Sequence, residues 1–514
     1  MSNPTQSSSG RGGLLVRGSL LRVSLLFANV AVAFYLMPFI IHSIGDRWYG
    51  MWTLVGTFMG YYGFLDLGLS IATQRFLAGA LGKDDTESVN QVFSTSFAIM
   101  LFLGLIAMLV TGVAAAAAPL FLQRLEEIAV FRVVLVLMAL NVGMSFAMAP
   151  VNGLISGQLR FDIAAYIEFV KLVLRTALIV YFVRAGYSII ALAATTLAVD
   201  FVGNVLKLRQ ARRLFEQLHI GRRYFAIGRV RELFDYGAKT FVNQIAELMR
   251  FQLSHLIVAA FINLSAVTMF NIAGQLVAYF RQLMSALMGV LAPVYGRYQA
   301  ADNQSGIRKT YYFTSKISAL ICTMAAGGTV ILGRAFIMRW MGEEYVEAYR
   351  LLSIMIVPMA FFVAQSPANN LIYGLGSVGP LARFSIIEAS ANVLLSLVLV
   401  RFYGLTGIAL GIAIPLTAFG VYMVIAAGRL VGGGLLEYAR QVGPVFLWGG
   451  AFQVGTAFAV PYFDTSGYLE IALVFLLFYP AQALLVALLS FQSWELRMLW
   501  DTGLRAAGLR RASV

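Results

Sequence analysis

The sequence predicts an all-α, polytopic membrane protein with about fourteen transmembrane helices, arranged as two six-helix lobes related by a pseudo-two-fold axis along the membrane normal, plus a C-terminal helix pair. Three observations carry that prediction. Hydrophobic residues make up 60% of the 514-residue chain and charged residues only 12%, with a mean hydropathy of +0.80, whereas a soluble domain carries about 25% charged residues. Apolar runs of roughly 20 residues, the length that crosses a bilayer core as a helix, recur along nearly all of it. The motif that closes one of these runs returns in the second half of the chain.

In chain order the apolar runs lie near 18–42, 48–75, 91–118, 129–155, 164–184 and 186–206. A second set lies near 233–260, 265–295, 311–338, 348–373, 380–401 and 404–428, and a final pair near 443–462 and 467–491. This spacing gives an N-terminal lobe (1–206), a basic cytoplasmic linker (207–232), a C-terminal lobe (233–430) and a helix pair with an amphipathic tail (431–514). From Lys207 to Arg231 the linker holds eight basic residues against one acid, Glu216. It reads as a solvated charged connection, with docking on anionic headgroups as the sharper alternative. The tail from Trp494 to Arg511 mixes Leu496, Met498, Leu499, Trp500 and Leu504 with Arg497, Arg505, Arg510 and Arg511, which is the pattern of an interfacial helix.

The repeat is visible at the residue level. Pro150-Val151-Asn152-Gly153-Leu154-Ile155-Ser156-Gly157 closes the fourth span and Pro367-Ala368-Asn369-Asn370-Leu371-Ile372-Tyr373-Gly374 the tenth, sharing P-x-N-x-L-I-x-G. Phe93-Ser94-Thr95-Ser96 matches Phe313-Thr314-Ser315-Lys316 more weakly, and Glu168 and Glu388 each precede an apolar run. An even number of helices per copy returns the chain to its starting side, so both copies insert with one orientation and leave a cleft between them. Pro150 and Pro367 remove backbone donors at their helix ends and are candidate hinges as well as helix stops.

Lys and Arg concentrate in alternate connections, at Arg75, Lys83, Arg160, the linker, Arg297, Arg308, Lys309, Arg383, Arg429 and Arg440. The positive-inside rule places these connections and both termini on the cytoplasmic side of the membrane. The net charge of +14 therefore follows from topology, and no nucleic-acid partner is expected. Cys322 stands alone and His42, His219 and His255 lack ligand spacing, so no metal or other cofactor is expected, with a coupling ion (H+ or Na+) left open. The polar N-terminal stretch lacks a signal-cleavage pattern, so the first span is expected to be retained.

Ionisable groups deep in a span are the informative residues, because each costs roughly 2.5–3.5 kcal/mol at a helix centre unless it faces protein or water. Lys171 and Arg175 lie four apart on the fifth span with Glu168 one turn away; Glu247 and Arg250 lie three apart on the seventh; Arg281 lies mid-way along the eighth. Asn243, Gln244, Gln252 and His255, then Asn271, Gln275 and Gln282, add a polar stripe. Glu168 with Lys171, and Glu247 with Arg250, read equally well as structural ion pairs within one helix. Arg175 and Arg281 have no acid at helical spacing and are the stronger substrate candidates, since a desolvated guanidinium selects for phosphate. Lys239 reads as a snorkelling lysine, and Asp66, Asp200 and Glu388 as capping or paired acids with a coupling-ion role as the alternative.

The stretch with Tyr49-Gly50, Trp52, Asp66-Leu67-Gly68-Leu69 and Arg75 resembles the opening of the polysaccharide-exporter (Wzx-type) flippases of the multidrug/oligosaccharidyl-lipid/polysaccharide (MOP) exporter superfamily. The six-six-two layout extends the likeness over nearly the whole chain. The resemblance implies a V-shaped, two-lobe transporter that moves an undecaprenyl-pyrophosphate-linked oligosaccharide from the cytoplasmic to the periplasmic leaflet by alternating access, for O-antigen, capsule or exopolysaccharide assembly. It implies as partners the lipid-linked anionic glycan, membrane lipids and polysaccharide polymerase machinery. The family motif carries over to Tyr49, Gly50, Asp66, Gly68 and Arg75; Lys171, Arg175, Arg250, Arg281, Glu247 and Gln275 are placed by helix depth instead. The peptidoglycan-precursor branch carries basic residues inside its first helix, and here that span has none beyond Arg22.

Two rivals remain. A membrane-embedded glycan polymerase or ligase needs acids, bases or a sizeable outward loop, and the outward connections are short and lack paired carboxylates, so the chain is expected not to be an enzyme. A multidrug or cation antiporter on the same scaffold would be expected to have acids dominating its cleft, against the basic excess around Arg175 and Arg281.

Overall fold

In hydrocarbon each backbone amide must find its partner within its own segment, so apolar runs of this length fold as helices. The computed structural model of the protein describes residues 6–120, 124–158, 160–289, 291–376 and 378–506, and helices account for nearly all of them, with no strand among them. Contacts divide the chain into two units, Met1–Thr268 and Met269–Val514.

Unit 1 contains α1 (Gln6–Ile44), α2 (Asp46–Tyr61), α3 (Gly63–Asp66), α4 (Leu69–Leu81), α5 (Thr86–Ala116), α6 (Leu125–Ala147), α7 (Ala149–Gly157), α8 (Phe161–Arg184), α9 (Ile189–Leu214), α10 (Ile227–Phe261) and the start of α11 (Leu264–Met288). Unit 2 contains the rest of α11, then α12 (Leu291–Ala300), α13 (Gln304–Trp340), α14 (Val346–Ala364), α15 (Ser366–Gly374), α16 (Val378–Leu430), α17 (Leu435–Gln441), α18 (Gly443–Ala459), α19 (Tyr468–Ser490) and α20 (Ser493–Ala506). The sequence divides the chain at the linker, which assigns α10 to the second lobe; by packing, α10 groups with unit 1, against α2, α4 and α5.

Among the described residues nine helices are long and apolar enough to cross a membrane, or ten when the bent pair Asp46–Asp66 with Leu69–Leu81 is one span. α16 folds back at Gly404, whose φ of 57° and ψ of −133° admit only glycine; a Cβ at Gly407 would strike the Leu399 carbonyl, and one at Gly411 the Ser396 backbone and side chain. α8, α10 and α11 have bilayer length but carry too many ionisable and amide groups to qualify by composition. These three lie outside the nine or ten, so the apolar test alone stops short of the expected fourteen. The helices that fail the apolar test are those on which the sequence places its candidate site.

Both units break a span at the repeat motif. α6 and α14 each stop at one non-continuing residue, Met148 or Gln365, and a nine-residue helix follows, α7 or α15, with proline at its second position. Pro150 and Pro367 therefore begin short helices, where a missing N–H leaves no bond unmade. The repeat also extends into the turns before α5 and α13. Asp84 (φ 53°) precedes Asp85, which caps α5 by accepting the Ser88 N–H at 3.0 Å; Asp302 (φ 49°) precedes Asn303, which caps α13 by accepting the Gly306 N–H at 2.8 Å.

The linker differs from the solvated connection expected. α9 continues to Leu214, so Lys207 is a helical residue, buried at 9%. The segment that follows lies along α5: Asn90 donates to the Gln217 carbonyl at 3.0 Å and accepts the His219 N–H at 3.0 Å, and Thr95 accepts the Ala226 N–H at 3.1 Å. Polar side chains on α5 thus satisfy backbone groups that a free linker would leave to water. In unit 2 the corresponding motif holds the tail instead. Lys316 pairs with Glu495 at 2.7 Å, Phe313 lies 5.8 Å from the Trp494 ring, and Trp494, Met498 and Trp500 remain exposed on α20. Leu504, Arg505, Arg510 and Arg511 lie outside the residues whose side chains are described.

Candidate functional site

The polar residues of α8 and α9 interlock in unit 1. On α8, Glu168, Lys171 and Arg175 follow i, i+3, i+7 spacing, and on α9, Asp200, Gly203 and Lys207 do the same, so each set lines one helix face. The two helices pack against each other, which pairs the sets in reverse order. Lys207 Nζ meets Glu168 Oε1 at 2.7 Å, Lys171 lies over Gly203, and Arg175 Nη2 meets Asp200 Oδ1 at 2.6 Å. Lys171 Nζ also reaches Glu168 Oε2 at 2.9 Å and Asp200 Oδ1 at 2.9 Å, and Asn141 of α6 donates to Asp200 Oδ2 at 2.8 Å. Gly203 is small because it must be: a Cβ there would occupy the aliphatic stem of Lys171.

Two expectations are corrected here. Arg175 has its own acid, Asp200, which lies 25 residues away in sequence and so escapes helical-spacing rules. Glu168 and Lys171 are not an isolated intrahelical pair but part of a five-charge network, with Asn141 and Lys207 as members that the sequence reading did not place in the site. The spacing of Asp200 and Lys207 on one face of α9 was the available signal.

The network contains three cations and two carboxylates. Both carboxylates are occupied, Glu168 by Lys171 and Lys207 and Asp200 by Lys171, Arg175 and Asn141. Arg175 is the partly open member of the network: its side chain is 33% exposed, while its Nε is buried and without a hydrogen-bond partner. It lies about 21 Å along α8 from Phe161, at 1.5 Å per residue, and so deep in a bilayer-length helix. An anionic oxygen is the ligand that this excess cation can accept.

The remaining predicted residues distribute as follows. Arg250 is buried in α10 at 2% exposure and is engaged; Glu247, its expected partner, and Lys239, Asn243, Gln244 and Gln252 lie at α10 positions outside the described side chains. Arg281 and Gln275 belong to unit 2 on α11; Gln275 hydrogen-bonds Tyr279 one turn away, and Arg281, half-buried, is not without a partner. The expectation of unpaired guanidinium groups thus fails for Arg175 and has no support at Arg281. Glu388 is buried at 2% and engaged.

The motif residues build an elbow. Asp66, buried at 6%, accepts the Ser70 N–H at 3.2 Å and the Ser70 hydroxyl at 2.5 Å, while Leu67 (φ 49°) and Gly68 (φ 73°) take left-handed conformations. The span bends by 52° there. α10 seats on the bend: a Cβ at Gly237 would come within 2.7 Å of the Leu67 carbonyl oxygen, and the Arg75 guanidinium lies 4.2 Å over the Tyr236 ring. At the other end of α2, Gly50 passes so close to the Leu264 carbonyl that no side chain fits, and Tyr49 packs beside Ile40 and Ile179. These residues therefore shape the scaffold, and none is in the α8–α9 network.

Comparison with known proteins accords with this architecture. A family model described as "Polysaccharide biosynthesis protein" matches residues 49–350. The membrane protein EpsK of Bacillus subtilis (strain 168) is 21% identical over 396 residues, covering 76% of this chain and 78% of its own. Among solved structures, an inward-facing multidrug resistance MATE family transporter of the MOP superfamily aligns with a TM-score of 0.66 at 15% identity, covering 80% of this chain and 98% of that one. The lipid II flippase MurJ, in an inward closed conformation, aligns with a TM-score of 0.66 at 12% identity, covering 91% and 98%. The shared feature at these identities is the fold.

Proposed function

This chain belongs to the polysaccharide biosynthesis protein family, and from that premise we propose that it is a flippase that moves a lipid-linked, phosphate-bearing oligosaccharide across the membrane by alternating access. The observation that carries the proposal is the cation excess of the α8–α9 network, three cations to two carboxylates, with the Arg175 side chain 33% exposed at mid-helix depth. A pyrophosphate linker offers the oxygens that such a group satisfies. Lys171 and Lys207 set the field, and Asp200 and Asn141 hold the guanidinium in place; Arg250, Arg281, Gln275 and Glu247 are proposed as further contributors along the path. The termini lie in the cytoplasm, and transport runs outward to the opposite leaflet to feed a polymerase. Coupling to an H+ or Na+ gradient is proposed as the energy source.

The fold likeness to a multidrug transporter raises the rival of a cation exporter. Both carboxylates of the network are already taken up by lysine, arginine and asparagine, which favours an anionic cargo. In a strain lacking the chain, Arg175→Ala and Arg281→Ala are expected to reach wild-type expression, abolish surface polysaccharide and leave lipid-linked oligosaccharide in the cytoplasmic leaflet. Lysine at either position keeps part of the activity. Normal polysaccharide from both alanine variants removes these residues from the site, and dye efflux lost with normal polysaccharide establishes the rival.

A further inference from the structure

In unit 2 the C-terminal end of α13 and the turn between α18 and α19 enclose a pocket of about 880 Å³. Its lining combines the apolar Val330, Ile331, Ala335, Met338, Val460 and Phe463 with the charged Arg334, Arg339, Glu343 and Asp464. Arg334 lies six residues before the end of α13 and Val330 ten, so the pocket descends about 15 Å from that end at 1.5 Å per residue. Trp340, Tyr462 and Tyr468 gather at the same end, as aromatic side chains do at a membrane–water boundary.

Two of the four charged groups are held in place by neighbours outside any ion pair. Arg339 stacks over the Tyr468 ring at 5.7 Å, and Asp464 accepts the Ser466 N–H at 2.9 Å, a bond that keeps its carboxyl below the usual range and hence ionised. Among the described residues none of the four takes part in an ion pair, although all line one pocket. A simple phosphate there would face two carboxylates and a simple amine two guanidinium groups. A headgroup that bears both charges meets each with its opposite, and a chain attached to it has the apolar lining to lie against.

We propose that this pocket binds a zwitterionic phospholipid with a primary ammonium: its phosphate rests between Arg334 and Arg339, its ammonium between Glu343 and Asp464, and an acyl chain runs along Val330, Ala335 and Met338. A quaternary ammonium has no N–H to donate, so phosphatidylethanolamine is preferred over phosphatidylcholine, and the two carboxylates disfavour phosphatidylglycerol. The site does not depend on which cargo is carried.

The test is native mass spectrometry of the full chain released from nanodiscs holding equal phosphatidylethanolamine, phosphatidylglycerol and phosphatidylcholine. One phosphatidylethanolamine is expected to stay bound, with a preference of about tenfold over either competitor. Arg334→Gln with Arg339→Gln abolishes its retention, whereas Glu343→Gln with Asp464→Asn transfers the preference to phosphatidylglycerol, a gain that misfolding cannot produce. Equal retention of phosphatidylglycerol by the wild type, or unchanged retention in the arginine variant, overturns the proposal.

Discussion

Lys316 of α13 and Glu495 of α20 meet at 2.7 Å with side-chain exposures of 2% and 3%, so the segment after the last span is fastened to the unit by a fully buried ion pair. Glu495 also accepts the Gln492 N–H at 2.6 Å, which ties the pair to the turn before α20. Removing one partner leaves the other charge buried alone, at a cost of about 3–5 kcal/mol. Lys316→Met is therefore expected to lower the melting temperature in detergent and expose the 491–493 turn to protease. The double variant Lys316→Met, Glu495→Met recovers most of the loss, because apolar replacement of a whole buried pair is often neutral.

Asp200→Asn keeps the shape of the α8–α9 network but leaves Glu168 as its one carboxylate, held by Lys171 and Lys207, and Arg175 without an acid. Expression is expected to fall, with a loss of about 3 kcal/mol in thermal stability. Asp200→Glu restores expression more fully than transport, because the longer side chain re-aims Arg175. Comparing protein level with polysaccharide output across the two variants separates these effects.

Gly50→Ala places a methyl group on the Leu264 carbonyl oxygen, where the obstacle is backbone and cannot swing aside. A penalty of about 1–3 kcal/mol or more is expected from overpacking. Asp66→Ala removes the acceptor for the Ser70 N–H and hydroxyl at the elbow and is expected to cost about 1 kcal/mol, the usual scale for a lost cap. Both are read by thermal denaturation, and Asp66→Asn is expected to lie close to wild type.

Asn90, 2% exposed, uses both ends of its amide to hold the linker at Gln217 and His219. Asn90→Ala is expected to free that segment. Limited trypsin digestion then cuts at Arg222 and Arg223, both exposed, several-fold faster than in the wild type, while the melting temperature moves little.

The fold was largely legible in the sequence because bilayer length and apolar composition act locally, and the helices fall where the apolar runs lie. P-x-N-x-L-I-x-G lies at the α6–α7 and α14–α15 breaks, since proline fixes its own φ and suits the first turn of a helix. The site was legible only in part. Glu168, Lys171 and Arg175 stood out by depth and spacing on one helix, but the partners Asp200, Lys207 and Asn141 come from other helices, and no local rule joins positions 25 or 39 residues apart. Lys207 looks like linker in the sequence because a basic cluster follows it without a gap. The motif at Asp66, Gly68 and Arg75 signalled family membership and turned out to encode a bend, a role that depends on α10 lying against it.

The placement of α10 has a consequence for dividing the molecule. By the repeat it opens the second copy; by packing it closes unit 1, with Gly237 against Leu67 and Tyr236 beneath Arg75. Two polypeptides separated within the linker would each be incomplete, the first lacking the helix that covers its elbow and the second carrying that helix with nothing to cover. Such fragments would need to reassociate through α10 to survive, whereas a cut after Thr268 would release a first fragment that already owns its lid.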